Sequence, residues 1–408
     1  MTGPVGATQS AYQVIVASTL ANAQANIADL WDSGRAPGAE CTGVAYGGPP
    51  LVSRQRCFWR VRIWDADDRV SDWSEPASWE MGLLTEADWA GEWLAVESQI
   101  EREDREAGAQ WVSGTTASSS EPCAFRLMFQ SGAGEGLLTI IADGKLSKLA
   151  LDGRPIALPA RDPNGYGDPP AIAFPLVVGP GDHILTAEVT TKTGPSGSGI
   201  GSIAAQLRVP APSGGVMRIL EGWEMRSGDQ SPWTRASLRE PQPHFPWPPT
   251  PARLLRRVFH LSGKPQGARL YVSALGGYRL WINGKRVGDD ELQSEGAEYS
   301  RHVPYRTYDV TALLREGDNA IGALVGDGFY ASYQSPDGRY AYGPAPRRLR
   351  LSIESRDAAG AMEGVATDQN WRHASSPILM SEIYAGEDQD LRLWPQRWTE
   401  PGFDDGDW

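Results

Sequence analysis

The sequence predicts an all-β chain of sandwiches or jelly rolls, on three observations. Apolar and polar residues alternate with a period of two, most clearly over Cys57-Phe-Trp-Arg-Val-Arg-Ile-Trp64. The pairs Asp152-Gly153 and Asn283-Gly284 follow such segments and supply the positive φ angles of a two-residue hairpin. Part of the chain also repeats in fixed order, which marks tandem units. Ala124–Phe129 aligns with Leu254–Phe259, Leu151–Gly153 with Ile282–Gly284, and Gly181–His183 with Gly317–Asn319. Closing strands follow in each copy, Ala205–Val209 and Leu349–Ile353. No segment sustains an apolar stripe at helical spacing beyond a few turns.

Taken in order, residues 1–94 read as a short sandwich. Tyr12–Val16 is one strand, and Cys57–Trp64 another with Phe58, Arg60 and Arg62 on one face and Trp59, Val61 and Ile63 on the other. Asp65–Asp68 is a turn, and Val70–Pro76 with Trp79–Met81 supplies the next strand. Residues 95–122, charged and then Ser/Thr-rich, read as a linker. The first repeat occupies 123–235, a stiff Pro-rich connector 236–252, and the second repeat 253–408. Within that copy Ala268–Ser273 and Tyr278–Ile282 alternate as strands, and Tyr308–Leu314 is a bend before the strand Ala320–Val325.

At 408 residues there is room for two to four domains with cores of their own. Lys and Arg number 38 against 51 Asp and Glu, a formal net charge of −13. That balance argues against nucleic acid and anionic membrane as partners, whose footprint is basic. Sixteen Trp and thirteen Tyr suit both sandwich cores and sugar-stacking platforms, with packing the ordinary use. Cys41, Cys57 and Cys123 are too few and too scattered for a disulfide framework and form no CxxC. Each reads first as a free thiol, with a cross-strand pairing of Cys41 and Cys57 left open. No apolar run approaches the ~18 residues of a transmembrane helix. Met1–Gln9 lacks Lys and Arg, and Tyr12–Ala17 is too short for a signal core, so the chain reads as cytoplasmic or as periplasmic with its leader removed.

The N-terminal segment resembles a fibronectin type III domain, with Asp68 where glycine is usual and Tyr12 already on the second strand, as if the first were missing. More specifically, Trp31–Gly34, Tyr46–Leu51, Ser53–Arg56, Trp59–Asp65 and Trp79–Leu83 resemble the opening domain of bacterial α-L-rhamnosidases of glycoside hydrolase family 78. Gly276–Gly284, Tyr305–Thr311, Gly317–Asn319, Gly326–Tyr330, Thr367-Asp368, Trp371, Glu382–Tyr384 and Pro401–Asp405 are similar to that family's N-terminal jelly roll. Residues 96–252 then look like an inserted module of the same jelly-roll type. The resemblance implies an accessory portion whose catalytic (α/α)6 barrel, in cis or in trans, is a missing partner. About a dozen amphipathic helices of roughly 10–20 residues would be needed for it, and this chain offers none. The alternatives are a stand-alone carbohydrate-binding protein and a complete glycoside hydrolase with a site between the jelly rolls.

Inverting hydrolysis needs two carboxyls about 6.5–9.5 Å apart. Asp289, Asp290, Glu291, Asp327, Glu382, Glu387, Asp388, Asp390, Asp404 and Asp405 all lie in turn-like stretches where solvated carboxylates are expected, so none is assigned to catalysis. The five histidines show no zinc-binding spacing. Galactose-binding-like jelly rolls, which both copies resemble, hold glycans at their loops and a structural calcium. For a rhamnosyl glycan the resemblance points to Tyr299, Phe329, Tyr330, Tyr333, Arg339 and Tyr342, with Glu387 at the rim facing the barrel. No cofactor is required. Calcium, where held, falls to Asp289, Asp290 and Asp327. The competing reading packs Phe329 and Tyr330 against the barrel.

Overall fold

The computed structural model describes residues 8–113, 122–159, 171–190, 201–228, 231–238, 250–332, 346–383 and 386–408, apart from the side chains of Asp143 and Glu382. Two units divide the chain, Met1–Ala90 and Gly91–Trp408. Antiparallel strands build both, as the alternating sequence predicts.

The described residues of the first unit form one sheet. Gln9–Ala17 pairs with Arg56–Asp65 on one side and with Trp31–Asp32 and Ala36–Pro37 on the other, and Ala77–Glu80 extends the sheet beyond Arg56–Asp65. Register sets Tyr12 opposite Ile63, Val14 opposite Val61 and Val16 opposite Trp59, the expected apolar face. On the other face the Arg62 guanidinium stacks 5.1 Å from the Trp64 ring and 4.7 Å from the Trp73 ring. Asp68 takes the glycine-like conformation its position demands, with φ +67°, and its carboxylate pairs with Arg35. A side chain in that region costs about 1–2 kcal/mol, whereas an exposed ion pair returns under about 1 kcal/mol. Asp68→Gly is therefore expected to raise the unfolding free energy of this unit by a few tenths of a kcal/mol or more, read as a higher urea midpoint.

In the second unit, two sandwiches share one plan. The repeat near Leu127 has a sheet ordered Arg154–Pro155, Lys145–Leu151, Gly181–Thr190, Cys123–Ser131, Glu224–Ser227, Thr234–Arg235. The later repeat has Lys285–Arg286, Gly277–Ile282, Gly317–Gly326, Arg253–Leu261, Arg372–Ser375 in the same relative order. Facing sheets centre on Gly134–Asp143 between Ala171–Val178 and Ser202–Pro210, and on Gly267–Leu275 between Tyr305–Asp309 and Arg348–Arg356. The equivalence reaches the turns. Asp152 and Asn283 both have φ +51°, each followed by a left-handed glycine. Asp152 Oδ1 accepts from the Ile184 N–H at 2.8 Å, and Asn283 Oδ1 from the Ala320 N–H at 2.9 Å. Each hairpin is thus pinned to the next strand by its own turn residue. Phe125, Leu138, Leu185 and Ile203 fill the first core, and Leu270, Ile282, Ile321 and Leu351 the second.

The inserted sandwich is nested in the later one rather than threaded on a linker. Leu94–Ala95 pairs with Leu349 and Arg348, and Val96 joins the later core. Residues 95–122, read as a linker, instead carry the helix Gln99–Ala107 and the strand Gln110–Ser113, which pairs with Ser202–Ala205. Residues 114–121 lie outside the described ones. A capping box starts the helix: the Glu101 carboxylate accepts from the Ser98 N–H at 2.7 Å, and Ser98 Oγ from the Glu101 N–H at 3.3 Å. Its acidic residues clasp both sandwiches. Buried Asp104 accepts from Arg208 at 2.9 Å and Arg218 at 2.7 Å, while Glu101 accepts from Arg253 of the later sandwich at 2.6 Å. Burial pushes the Glu101 carboxyl up, but the Ser98 N–H and the Arg253 charge prevail and hold it below its usual range.

Candidate functional site

Strand Gly277–Ile282 begins opposite the end of strand Gly317–Gly326, with Gly277 facing Gly326 across the ladder. The paired strands Ile378–Glu382 and Gly386–Gln389 lie over this point. Between them is a cleft of about 320 Å³. Glycine shapes its floor, since a Cβ on Gly328, at φ +54°, would run into the Gly277 backbone nitrogen. Ser381 closes one side, its Oγ accepting from the Asp327 N–H at 3.0 Å. Asp290, Arg279, Gln293 and Glu387 bring polar ends to the cleft, and Leu292, Ile378 and Ile383 bring aliphatic ones.

Asp290 is fixed by Tyr308, whose hydroxyl donates to Oδ2 at 2.8 Å. Burial and then this hydrogen bond push the Tyr308 pKa up to about 12, and burial raises that of the neighbouring Tyr278 further. Both tyrosines thus stay protonated in the fold at a pH where unfolded tyrosine, with pKa about 10, ionises. Between these values the unfolded chain holds fewer protons, so stability falls as pH rises from about 10 toward about 12. Urea midpoints should drop over that window, and Tyr308→Phe should drop less steeply than the parent. The Glu291 carboxylate bridges Arg286 at 2.8 Å and Arg279 at 2.7 Å, and these partners hold its pKa below the usual carboxylate range.

The structure thus brings together Asp290 and Glu387, expected separately as a metal ligand and a rim residue, in one cleft. It separates others. Tyr299 and Tyr330 are buried, their rings 5.3 Å apart edge to face, and Phe329 packs with them. The Tyr299 hydroxyl donates to the Glu295 carbonyl at 2.7 Å. These rings form a small core, so their place in the fold is packing rather than a sugar platform. Tyr333, Arg339 and Tyr342 lie outside the described residues, as does most of the Pro-rich connector. Asp289 is exposed, whereas Asp327 is completely buried, with Arg347 Nη1 3.3 Å from its Oδ1. Arg347 is 2 % exposed and also donates to Thr250 Oγ1 at 2.8 Å and the Pro251 carbonyl at 2.9 Å. Asp289, Asp290 and Asp327 therefore do not form a ligand set, and among the described residues no three His, Cys, Asp or Glu side chains are grouped to hold a metal. Arg279, Gln293 and Ser381 were not foreseen. The Gly276-Gly277 doublet was the one sequence signal for a close backbone approach at this spot.

Among the described residues the buried acids are Asp104 and Asp327, each held by arginine. Asp390 pairs with Arg392, and Asp405 with Arg256. Hydrogen bonding to Arg392 keeps the Asp390 carboxyl low, the opposite of what a general acid needs. The three cysteines are free, Cys41 exposed and the other two buried. No helix among the described residues is long and apolar enough to cross a membrane. A second groove, about 530 Å³, lies on the apolar face of the first unit's sheet between Trp31, Tyr46, Trp59 and Trp79.

The chain is thus a small antiparallel sheet followed in sequence by one sandwich nested in another. Comparison with known proteins finds matches to N-terminal domains of α-L-rhamnosidases at both ends of the chain. Residues 263–408 match the alpha-L-rhamnosidase N-terminal domain, and residues 2–85 the Rha78A-like, N-terminal immunoglobulin domain. An alpha-L-rhamnosidase of Streptomyces avermitilis is 33% identical over 99% of this chain, and one of Formosa agariphila 24% identical over 99%. The chain spans 41% of the first relative's length and 30% of the second's. The crystal structure of the Streptomyces avermitilis enzyme complexed with L-rhamnose superposes with a TM-score of 0.68 at 30% identity, over 99% of this chain and 41% of that one. The Dictyoglumus thermophilum enzyme, 22% identical, shares the fold with a TM-score of 0.57 over 98% of this chain and 30% of its own.

Proposed function

We propose that this chain serves as the front part of an α-L-rhamnosidase, supporting a catalytic (α/α)6 barrel in cis or in trans and shaping the approach of rhamnosyl glycans. The observation that carries the reading is the pair of family matches at both ends of the chain, in order, within a region that accounts for 41% of the Streptomyces relative. The carboxyl inventory supports it as well, because a carboxylate held by arginine is neither a poised acid nor a mobile base. In this role the rigid, doubly clasped sandwiches are a platform, and any contact with sugar is made at a cleft rather than on the buried rings. Coexpression tests the reading. The Streptomyces enzyme, stripped of its matched region, is expected to copurify with this chain and to hydrolyse p-nitrophenyl α-L-rhamnoside faster with it than without it. Failure to copurify, with no gain in rate, would count against a supporting role.

A further inference from the structure

The cleft beside Gly277 falls in the range of about 300–1,000 Å³ typical of small-molecule sites, at about 320 Å³. Its lining combines acceptors, Asp290 and Glu387, donors, Arg279 and Gln293, and an aliphatic edge, Leu292 and Ile383. Leu292 is the most informative of these. It is 69% exposed and sits at φ +55°, a conformation that costs an ordinary side chain energy. Burial does not explain its placement, since it holds apolar surface out at the cleft's lining. A sugar matches this mixture: its hydroxyls both donate and accept, while its C–H edge is apolar. Charge narrows the class. Among the described residues the lining has one cation against two carboxylates, and that cation, Arg279, is already engaged by Glu291. A uronate or a phosphorylated sugar would meet like charge here.

We propose that this cleft binds the end of a neutral saccharide, with Asp290 and Glu387 accepting from its hydroxyls, Arg279 donating, and Leu292 against its apolar edge. The proposal rests on the accessory reading above and gives it a site. Saturation-transfer NMR on the full 408-residue chain tests it, with methyl α-L-rhamnoside and D-glucuronate as probes. The rhamnoside should show transfer and the glucuronate none at equal concentration. Glu387→Lys and Leu292→Asp, both at exposed positions, should each weaken the rhamnoside about tenfold, with near-ultraviolet circular dichroism unchanged. No transfer from the rhamnoside would overturn the proposal, as would equal transfer from glucuronate. So would transfer that both variants leave intact, which would put the sugar elsewhere. The accessory reading fails differently, on turnover by the chain alone or on loss of copurification.

Discussion

Replacing Asp327 with alanine is expected to remove about 3–5 kcal/mol of unfolding free energy. Asp327 has no solvent exposure and Arg347 is 2 % exposed, so the change takes from a buried guanidinium the carboxylate beside it. Arg347 also holds Thr250 and Pro251, where the chain returns from the inserted sandwich, so the damage reaches the junction of the two sandwiches. Replacing both partners, Asp327→Ala with Arg347→Met, should cost clearly less than the sum of the single changes, because no isolated charge remains. Urea unfolding with an unchanged slope checks both statements. A loss below about 1 kcal/mol for Asp327→Ala would mean that the pair is solvated and does not organise the floor of the cleft.

The second large effect lies at Arg256. Its side chain is 1 % exposed, yet it serves three groups of the segment Trp398–Asp405. Nε donates to the Trp398 carbonyl and Nη2 to the Glu400 carbonyl, both at 2.8 Å, and Nη1 pairs with Asp405. Burial pulls the guanidinium pKa down, and Asp405 opposes that pull. Trp398 packs close over Gly322, which has no side chain; a Cβ there would stand 2.6 Å from the indole Cζ3. Arg256→Ala is expected to cost roughly 3 kcal/mol by stranding two carbonyls and taking from Asp405 the nearer of its two arginines, Arg372 being the other. It should also speed proteolysis and amide exchange across Trp398–Asp405. Arg256→Lys should recover less than half of the loss, since an ammonium cannot serve three fixed directions at once.

What the sequence reveals of this fold is local, and what it conceals is tertiary. Asp152-Gly153 and Asn283-Gly284 announce their hairpins because positive φ must be encoded at the turn itself, and both pairs adopt it. The alternation over Cys57–Trp64 gives the two faces of its strand correctly, for the same reason of strict local period. Helix Gln99–Ala107 is misread as a linker because its acidic residues look solvated, although Ser98 and Glu101 spell a capping box. Arg208, which pairs with Asp104, and Arg253, which pairs with Glu101, lie 104 and 152 residues away, beyond any spacing rule. The nesting of one sandwich in the other hangs on a two-residue strand, Leu94–Ala95, too short to carry a periodic signal. At the cleft, Asp290 and Glu387 are legible as acids in turns, but only the packing of the Ile378–Gln389 strands brings them together. Asp327 is misassigned for a related reason: Asp-Gly after a strand suggests a solvated turn, and its burial against Arg347 is not written locally.

The proposed function makes these 408 residues a supporting region for a hydrolytic centre carried on another domain. Hydrolysis of p-nitrophenyl α-L-rhamnoside by the purified chain, at high protein concentration, tests it most directly. The account predicts release of p-nitrophenol no faster than in buffer. Turnover that tracks the chain through purification, and that disappears in a carboxylate variant such as Glu387→Gln or Asp290→Asn, would contradict it and place the chemistry in the cleft itself.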